Sequence, residues 1–342
     1  MTREAILKYK RRLALRNLLI LMGGLFLLLV SLFVSMNAGY SKLSILDTLN
    51  TVAGKGTATH ELILFQYRLP RIVISILIGA GLALSGCLIQ GISRNPLAEP
   101  GLLGINAGAG MMVILYALLL GITNFSSIFT LPFLALIGAA GAAISVYLLA
   151  YKKQEGISSE RLILTGIAVQ AGISALTTIL IVNLDDMRFS IVSGWQAGQI
   201  WGANWQYVLT LLPWLCVLIP YCLYKAKSLD VLNLGDEVAL ALGMPVEKER
   251  RKILIVAVML AACCVSVGGN ISFVGLIAPH LARRMVGPKH QILLPVCALT
   301  GAVLVCIADT LGRMLIQPSS IPTGIMTAII GAPYFIYLLV RR

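Results

Sequence analysis

The sequence predicts an all-helical protein that crosses a lipid bilayer about ten times. Of its 342 residues, 58% are hydrophobic and 12% are charged, and the mean hydropathy is +0.90. Soluble globular domains carry about 25% charged residues, so this composition is that of a membrane protein. Apolar runs long enough to span a bilayer follow one another with only short polar gaps. We therefore predict a single transmembrane domain over residues 1–342, with no separate soluble domain.

The spans are located by length, because a helix needs roughly 20 mostly apolar residues to cross the hydrocarbon core. The first apolar run follows a basic N-terminal region, as the apolar part of a signal peptide would. It is too long for that part, however, and no small-residue cleavage site follows it, so we expect a retained first helix. In chain order, the ten predicted spans cover residues 17–36, 71–92, 101–123, 129–151, 161–184, 206–226, 252–270, 272–284, 291–315 and 321–340.

The boundary between the seventh and eighth spans depends on the segment SVGGNISFVGLIAPH. It combines Gly268, Gly269, Asn270 and Pro279, and these residues disfavour one unbroken helix. A helix, a turn and a shorter helix are therefore predicted. One continuous helix would reduce the count to nine and would place the C-terminus outside.

The distribution of basic residues predicts the orientation, because cytoplasmic loops of membrane proteins are enriched in lysine and arginine. With ten spans and the N-terminus inside, all but six of the 27 lysines and arginines fall on the cytoplasmic side. Both termini are then cytoplasmic, and we expect a multi-pass protein of the bacterial cell membrane. The net charge of +13 comes from these clusters, which lack the aromatic interleaving of nucleic-acid-binding surfaces. The six external residues are Lys42, Lys55, Arg68, Arg71, Arg188 and Arg313.

The chain shows no signature of a catalytic, metal or nucleotide site. Its three histidines lie near helix ends or loops, without an HExxH motif or a paired acidic motif. The segment AGKGT at 53–57 lacks the spacing of a phosphate-binding loop. The seven cysteines include no CxxC pair and fall within or beside apolar runs, as small core residues do. We predict that the chain is not an enzyme, holds no cofactor or metal, and does not bind ATP itself.

Charged side chains inside the spans help to decide whether the protein is an ion-coupled carrier, because such a carrier needs ionisable groups at mid-depth in the membrane. The clear acidic candidate is Asp309, four residues before Arg313. Side chains at this spacing share a helix face and can pair. The spacing favours a local ion pair, which lowers the cost of an arginine in the membrane, over a proton relay.

The longest cytoplasmic loop, residues 225–252, contains the sequence GDEVALALGMPVEKERR. Asp236 and Glu237 stand where a helix N-terminus favours acidic residues, an apolar stretch follows, and Gly243 stops the pattern before Pro245. The loop is therefore predicted to contain a two-turn amphipathic helix. That helix is too short and too weakly basic to bind the bilayer interface well, so a groove on another protein is its favoured partner.

Four segments carry a resemblance to a known family. They are RLPRIVISILIGAGLALSGCLIQGISRNPLAEPGLLGINAGAG (68–110), LGDEVALALGMPV (234–246), GGNISFVGLIAPHLARRMVG (268–287) and PSSIPTGIMTAIIGAPYFIYLL (318–339). Together they resemble the permease family of type II ABC importers for ferric siderophores, haem and cobalamin, over nearly the whole chain. The resemblance implies the ten-helix fold of these permeases and a dimer of such subunits. It also implies two cytoplasmic ATPase subunits, which hydrolyse the ATP, and an extracytoplasmic substrate-binding protein.

The resemblance also assigns roles to individual residues. Arg68, Arg71 and Arg313 match the external arginines that receive a glutamate from each lobe of the binding protein. The planar guanidinium suits this role because it binds a carboxylate bidentately. Ser158 and Ser159 match the cytoplasmic gate, although serines that precede a helix are also typical N-caps. The coupling helix that seats in the ATPase cleft matches Gly235, Asp236, Glu237, Val238, Ala239, Leu242 and Gly243.

The expected substrate follows from the family. The fifth and tenth helices line the pathway of these permeases, and their lack of charge here suits a bulky chelate that slides through. We expect a ferric siderophore, with cobalamin or haem as the alternative. An ion-coupled carrier and a membrane-embedded structural or enzymatic subunit stay open as remote alternatives. Both would leave the coupling loop without a role.

Overall fold

The computed structural model describes residues 3–39, 41, 43–119, 130–152, 159–200 and 204–340. Across these ranges the chain forms fifteen α-helices, a π-helical segment at Leu62–Arg68 and a 3-10 turn at Pro100–Leu103. In chain order the helices are α1 (Arg3–Asn37), α2 (Ile45–Val52), α3 (Ala58–Glu61), α4 (Leu69–Ser93), α5 (Ile105–Leu119), α6 (Thr130–Ala150), α7 (Ser159–Ile181), α8 (Asp186–Gln196), α9 (Trp205–Tyr224), α10 (Ala226–Leu232), α11 (Asp236–Ala241), α12 (Val246–Gly268), α13 (Val274–Val286), α14 (His290–Leu315) and α15 (Thr323–Val340).

The predicted class, an all-helical polytopic membrane protein, is confirmed. Each of the ten predicted spans contains one of these helices. Within the described ranges, seven helices are long and apolar enough to cross a membrane. The third, eighth and tenth spans correspond to the shorter helices α5, α13 and α15. The second span is one continuous helix over Ala58–Ser93, because α3 runs through the π-helical segment into α4.

The predicted break between the seventh and eighth spans is also confirmed. α12 ends at Gly268 and α13 begins at Val274, and left-handed φ angles occur between them at Gly269 (71°) and Phe273 (68°). A Cβ atom on Gly269 would lie 2.3 Å from the carbonyl oxygen of Trp195, so a glycine is required there. α12 begins at Val246 instead of residue 252, since its first turns carry charged residues that a search for apolar runs leaves out.

The central helix is α4, with α9, α12, α13 and α14 packed around it. Small residues permit this packing: a Cβ atom on Gly79 would lie 2.3 Å from the carbonyl oxygen of Gly301. A Cβ atom on Gly86 would lie 1.9 Å from that of Gly275. Helix backbones that touch at small residues are typical of membrane proteins. α1 and α7 lie at the periphery, where most of their side chains are not covered by this chain.

The sequence did not predict three short helices, α2, α8 and α10. α8 lies in the connection between the fifth and sixth spans, and the side chain of Asp185 caps its N-terminus. Its sequence, DMRFSIVSGWQ, is too short and polar to register as a span. The helix nevertheless carries Trp195 into the interior, where this side chain is 2% exposed. In the loop where a two-turn amphipathic helix was predicted, the structure has a helix of six residues, α11.

Candidate functional site

Asp309 is the centre of an ion-pair cluster at the end of the molecule that the orientation places outside. Its carboxylate accepts hydrogen bonds from Nε of Arg71 and Nε of Arg313, each at 3.0 Å, and from the Thr323 hydroxyl at 2.9 Å. Asp309 is only 1% exposed. The pairing of Asp309 with Arg313 was predicted from their four-residue spacing and is confirmed. Arg71 comes from α4, and its contact with Asp309 was not predicted.

The cluster keeps an excess of positive charge, because one carboxylate faces two guanidinium groups. Arg313 is held further by the carbonyl oxygen of Ala38, at 2.9 Å, and by the hydroxyl of Ser35. The Arg71 and Arg313 side chains keep part of their surface open. A carboxylate arriving from outside would therefore meet guanidinium groups that are already oriented.

Arg68 has different surroundings from Arg71, although the two residues are close in sequence. Its guanidinium donates to the carbonyl oxygen of Met36, in the last turn of α1, and to that of Ser41, in the segment that follows. The residue is 6% exposed. Arg68 thus fixes the end of α1 and the segment after it to the start of α4. It is less accessible than Arg71 and Arg313.

The predicted coupling segment, residues 235–243, has a defined backbone frame. α11 is bounded by Gly235 (φ 113°) and Gly243 (φ 79°), two positions where the backbone conformation favours glycine. A Cβ atom on either glycine would meet open space, so conformation and not crowding explains both. The first helical residue is Asp236, as the acidic pattern indicated.

The side chains of this segment divide into an exposed apolar surface and a buried contact. Leu240 is 60% exposed and Leu242 is 65% exposed, and Leu234 and Val238 are also exposed. The resemblance included Ala239 among the residues of the ATPase contact. Ala239 is fully buried, however, so it packs inward and cannot contact a partner protein. We call the exposed set, Leu234, Val238, Leu240 and Leu242, the coupling surface.

Asp236 is held by arginines from two other helices. Nη2 of Arg250 lies 2.8 Å from Oδ1 of Asp236 and 2.9 Å from its Oδ2, and the Arg94 guanidinium also contacts Oδ1. Partial burial opposes ionisation of Asp236, but the hydrogen bond and charge of Arg250, together with those of Arg94, hold its pKa below the ordinary value. The carboxylate is therefore ionised at neutral pH and ties α11 to both neighbouring helices.

A polar chamber of about 370 Å³ lies beside α7, with α5, α8 and the irregular segments near residues 100 and 270 forming the rest of its lining. Nδ2 of Asn106 donates to Oδ1 of Asn270 at 2.7 Å across this lining. Gln170 and the acidic Glu99 also face the chamber. The residues before α5 thus bring one acidic side chain, Glu99, to this chamber. The prediction that the uncharged fifth and tenth helices line a transport pathway stays a prediction.

Two buried donors of the chamber wall lack a hydrogen-bond partner within the described part of the chain. They are the indole N–H of Trp195 and the hydroxyl of Thr177. Buried polar groups are nearly always hydrogen-bonded in native proteins. These two groups therefore keep a hydrogen-bonding capacity that the described residues do not use.

The family model of the FecCD transport family matches residues 27–341, which is nearly the whole chain. The chain belongs to the FecCD transport family. FhuG of Bacillus subtilis (strain 168), an iron(3+)-hydroxamate import system permease protein, is 48% identical over 328 residues, 94% of this chain and 97% of that protein. FeuC of the same organism, an iron-uptake system permease protein, is 41% identical over 287 residues, 83% of this chain and 85% of that protein.

The fold of this FecCD chain also matches a solved structure. That structure shows an inward-facing conformation of a transporter assigned to the metal-chelate ABC type. The TM-score is 0.81 and the identity is 31%, covering 95% of this chain and 100% of the other. The chain is thus the membrane-spanning permease subunit of an ABC importer and is not catalytic itself. Systems of this kind also contain an ATPase and a binding protein.

The gate residues of this FecCD permease are placed only in part. Ser158 lies outside the described residues, and Ser159 is the first residue of α7. The gate role of both serines stays a prediction. Sequence reasoning missed Arg94, Glu99 and Arg250. Arg94 is 142 residues from its partner Asp236 in the chain, and Arg250 is 14 residues from it. The only signal for Arg94 and Glu99 was their place in RNPLAEPGLLG, one of the segments that carried the resemblance.

Proposed function

We propose that this permease imports a ferric siderophore, and specifically a ferric hydroxamate, delivered by an extracytoplasmic binding protein. The observation that carries this proposal is the 48% identity to FhuG, sustained over nearly the full length of both chains. Cobalamin and haem are the alternative substrates. Both termini of the chain are cytoplasmic in this proposal, and the protein lies in the bacterial cell membrane.

The proposed assembly contains two permease subunits, either two copies of this chain or one copy and a close relative. The outward side of α7 supports a second subunit, because it exposes large apolar side chains, including Leu164, Ile167 and Ile179, next to the polar chamber. A second permease packed against this side would enclose the chamber between the subunits. Lipid covers the remaining apolar surface, and nothing in the chain suggests a nucleic-acid partner.

The proposed docking site for the binding protein is the external arginine cluster, Arg68, Arg71 and Arg313. The excess positive charge around Asp309 supports this role, since it is complementary to carboxylates on an approaching protein. Arg71 and Arg313 are the residues that a carboxylate would contact directly. Arg68 adds to the positive potential from its buried position and holds the neighbouring backbone.

The proposed contact with the ATPase subunits is the coupling surface on and beside α11. An apolar surface of this kind, exposed on a cytoplasmic loop, is complementary to a hydrophobic groove on a partner. Glu237, exposed beside it, adds one negative charge at the start of the helix. ATP binding and hydrolysis then occur on the ATPase subunits, and α11 transmits their movement to the permease.

The polar chamber is the proposed passage for the chelate. Its amide and hydroxyl groups can exchange hydrogen bonds with the oxygen atoms of a hydroxamate chelate without holding it tightly. A weakly binding passage is consistent with an importer in which affinity belongs to the binding protein. Ser158 and Ser159 are the proposed gate at its cytoplasmic end.

The test is uptake by a bacterial strain that lacks this gene, with and without the gene restored on a plasmid. Iron-55 complexes of a trihydroxamate and a tricatecholate siderophore are compared with labelled haem and cobalamin. We expect the restored gene to rescue uptake of the trihydroxamate complex only. Rescue of haem or cobalamin uptake alone would replace the proposed substrate. If the deletion strain still took up the trihydroxamate complex at the wild-type rate, the proposed substrate would be wrong.

A further inference from the structure

Two residues that no part of the proposed function uses join the coupling segment to the interior of the permease. Asp230 lies on α10, directly before the coupling surface, and His290 is the first residue of α14. Oδ1 of Asp230 accepts the backbone N–H of His290 at 2.9 Å and lies 2.7 Å from its ring Nδ1. A carboxylate oxygen can only accept, so Nδ1 carries the proton. His290 is fully buried, and this pair therefore fastens α10 to α14.

α4 meets the same pair at Gly91. A Cβ atom on Gly91 would lie 2.9 Å from Cδ2 of Leu229 and 3.3 Å from Nε2 of His290. The absence of a side chain at residue 91 thus lets α10 and α14 both pack against α4. Three helices meet at one point on the cytoplasmic side.

Arg94 adds a second tie between α4 and the coupling segment. Its Nε donates to the carbonyl oxygen of Leu232 at 3.1 Å, and its guanidinium contacts Asp236. The backbone of Arg94 has φ 51°, a left-handed conformation that is unfavourable for residues other than glycine. A glycine would suit the backbone better, so the arginine is present for its side chain.

The same two helices, α4 and α14, form the external cluster at their other ends. α4 carries Arg71, and α14 carries Asp309 and Arg313. Between the two ends their backbones touch, since a Cβ atom on Gly301 would lie 2.3 Å from the carbonyl oxygen of Gly79. Helices in such close contact cannot easily slide past one another. A displacement of α10 and α11 therefore reaches the external arginines through one rigid pair of helices.

We propose that Arg94, Asp230 and His290 form an inner joint that transmits movement between the coupling segment and the docking end of the permease. These are positioning residues, because they act through α4 and α14 and touch neither ATP nor the chelate. The inference rests on the proposed importer function. It goes beyond that function by naming the side chains and the helix pair that carry the signal.

The test uses the complete transporter, with permease, ATPase and binding protein, reconstituted in proteoliposomes. The main variant is Arg94→Gly, which suits the left-handed backbone but removes both side-chain ties. Basal ATP hydrolysis and the amount of assembled complex should stay at the wild-type level. Stimulation of hydrolysis by the loaded binding protein should fall about 2- to 30-fold, the range known for residues that modulate coupling between sites.

Variants of the Asp230–His290 pair extend the test. Asp230→Ala and His290→Ala should each raise the ATP consumed per chelate transported, and the double variant should be no worse than either single one, because the pair acts as a unit. Asp230→Asn keeps an oxygen acceptor and should retain most of the stimulation. Lys227→Ala changes an exposed residue of the same helix and is the matched control.

Two results would overturn the joint. Wild-type stimulation in Arg94→Gly would show that its ties transmit nothing. A proportional fall of assembly, basal hydrolysis and uptake in Asp230→Ala and His290→Ala would show a purely structural role for the pair. A wild-type complex that the loaded binding protein does not stimulate would instead contradict the proposed function, and the joint with it.

Discussion

Arg71 and Asp309 are separated by 238 residues in the chain, yet the Arg71 guanidinium lies 2.9 Å from the Asp309 carboxylate. Their ion pair joins the start of α4 to the last turns of α14, at the side that the proposed orientation places outside. Arg313 binds the other oxygen of the same carboxylate. One guanidinium charge is therefore left over. The cluster is both a tie between two helices and a source of positive charge, and variants that remove charge without removing a donor can separate the two roles.

Replacing Arg71 with glutamine should weaken capture of the loaded binding protein at least tenfold, which corresponds to about 1.4 kcal/mol. The glutamine amide can still donate to Asp309, so insertion and folding of the permease should not change. The measurement is the equilibrium binding of loaded binding protein to the reconstituted transporter at low and high salt. The variant should also show a weaker dependence on salt, because one charge is missing from the encounter.

Lys55→Gln is the matched control for this experiment, because it removes an exposed positive charge from the same side of the protein. Its affinity for the binding protein should equal that of the wild type. If Arg71→Gln binds as tightly as the control, the external arginines stabilise the permease and do not receive the binding protein.

Arg68→Ala should act on stability more than on docking. The Arg68 guanidinium is buried and satisfies the carbonyl oxygens of Met36 and Ser41. Its loss leaves these acceptors without a donor, at a cost of about 1–3 kcal/mol. We expect a lower midpoint of thermal unfolding in detergent, whereas Arg71→Gln should unfold near the wild-type temperature. Equal midpoints for wild type and Arg68→Ala would show that water or lipid replaces the guanidinium.

Much of the fold was predictable because each membrane span is a local property of the chain. Ten apolar runs predicted ten helices, and the break after Gly268 followed from a cluster of residues that interrupt helices. The polar helix α8 was missed because hydropathy measures suitability for lipid and not helical structure. The helix ends differ for the same reason, as in the charged first turns of α12.

The candidate sites were predictable only where both partners lie on one helix. Asp309 and Arg313 are four residues apart, and their pairing followed from helix geometry. Arg71 and Arg94 reach their partners by tertiary packing, which leaves no local pattern. The buried position of Ala239 was missed because α11 is apolar on all sides after its first turn. Periodicity cannot then show which side faces the protein.

Charge introduced on the coupling surface should detach the ATPase. In the variant Leu240→Glu with Leu242→Glu, both altered side chains are exposed, so the isolated permease should unfold near the wild-type temperature. A charged group in an apolar groove must be desolvated without a partner, and this opposes assembly strongly. The measurement is the amount of ATPase subunit that copurifies with the permease.

Lys248→Ala serves as the control on the same cytoplasmic side, since Lys248 is also exposed but lies outside the coupling surface. It should copurify the ATPase at the wild-type level. Wild-type copurification and uptake in the double glutamate variant would place the ATPase contact elsewhere.

The ties of Asp236 should be insensitive to pH near neutrality. Arg250 and Arg94 outweigh the effect of partial burial and hold the pKa of Asp236 below its ordinary value. The stabilisation they provide is therefore complete above the ordinary carboxyl pKa and is lost as pH falls through the lowered, folded-state pKa. The difference in unfolding midpoint between wild type and Asp236→Asn should stay constant from about pH 8 to about pH 5, and shrink below about pH 4. If this difference in midpoint already changed between about pH 8 and about pH 5, the arginines would not be holding the carboxylate in its ionised form.

Uptake should require ATP and should not require the membrane potential. An ion-coupled carrier would need an intramembrane acid that can exchange protons, and Asp309 is the candidate that the sequence offered within a span. Its two oxygens are occupied by Arg71, Arg313 and the Thr323 hydroxyl, all of which favour the ionised carboxylate. Such a group is a poor relay, because protonation would leave two partly buried arginines without their counter-ion. In proteoliposomes loaded with ATP, we expect uptake of the ferric trihydroxamate to continue when valinomycin and potassium collapse the potential. Uptake should stop when a non-hydrolysable ATP analogue replaces ATP. Loss of uptake with the potential alone, at constant ATP, would favour the ion-coupled carrier over the ABC importer.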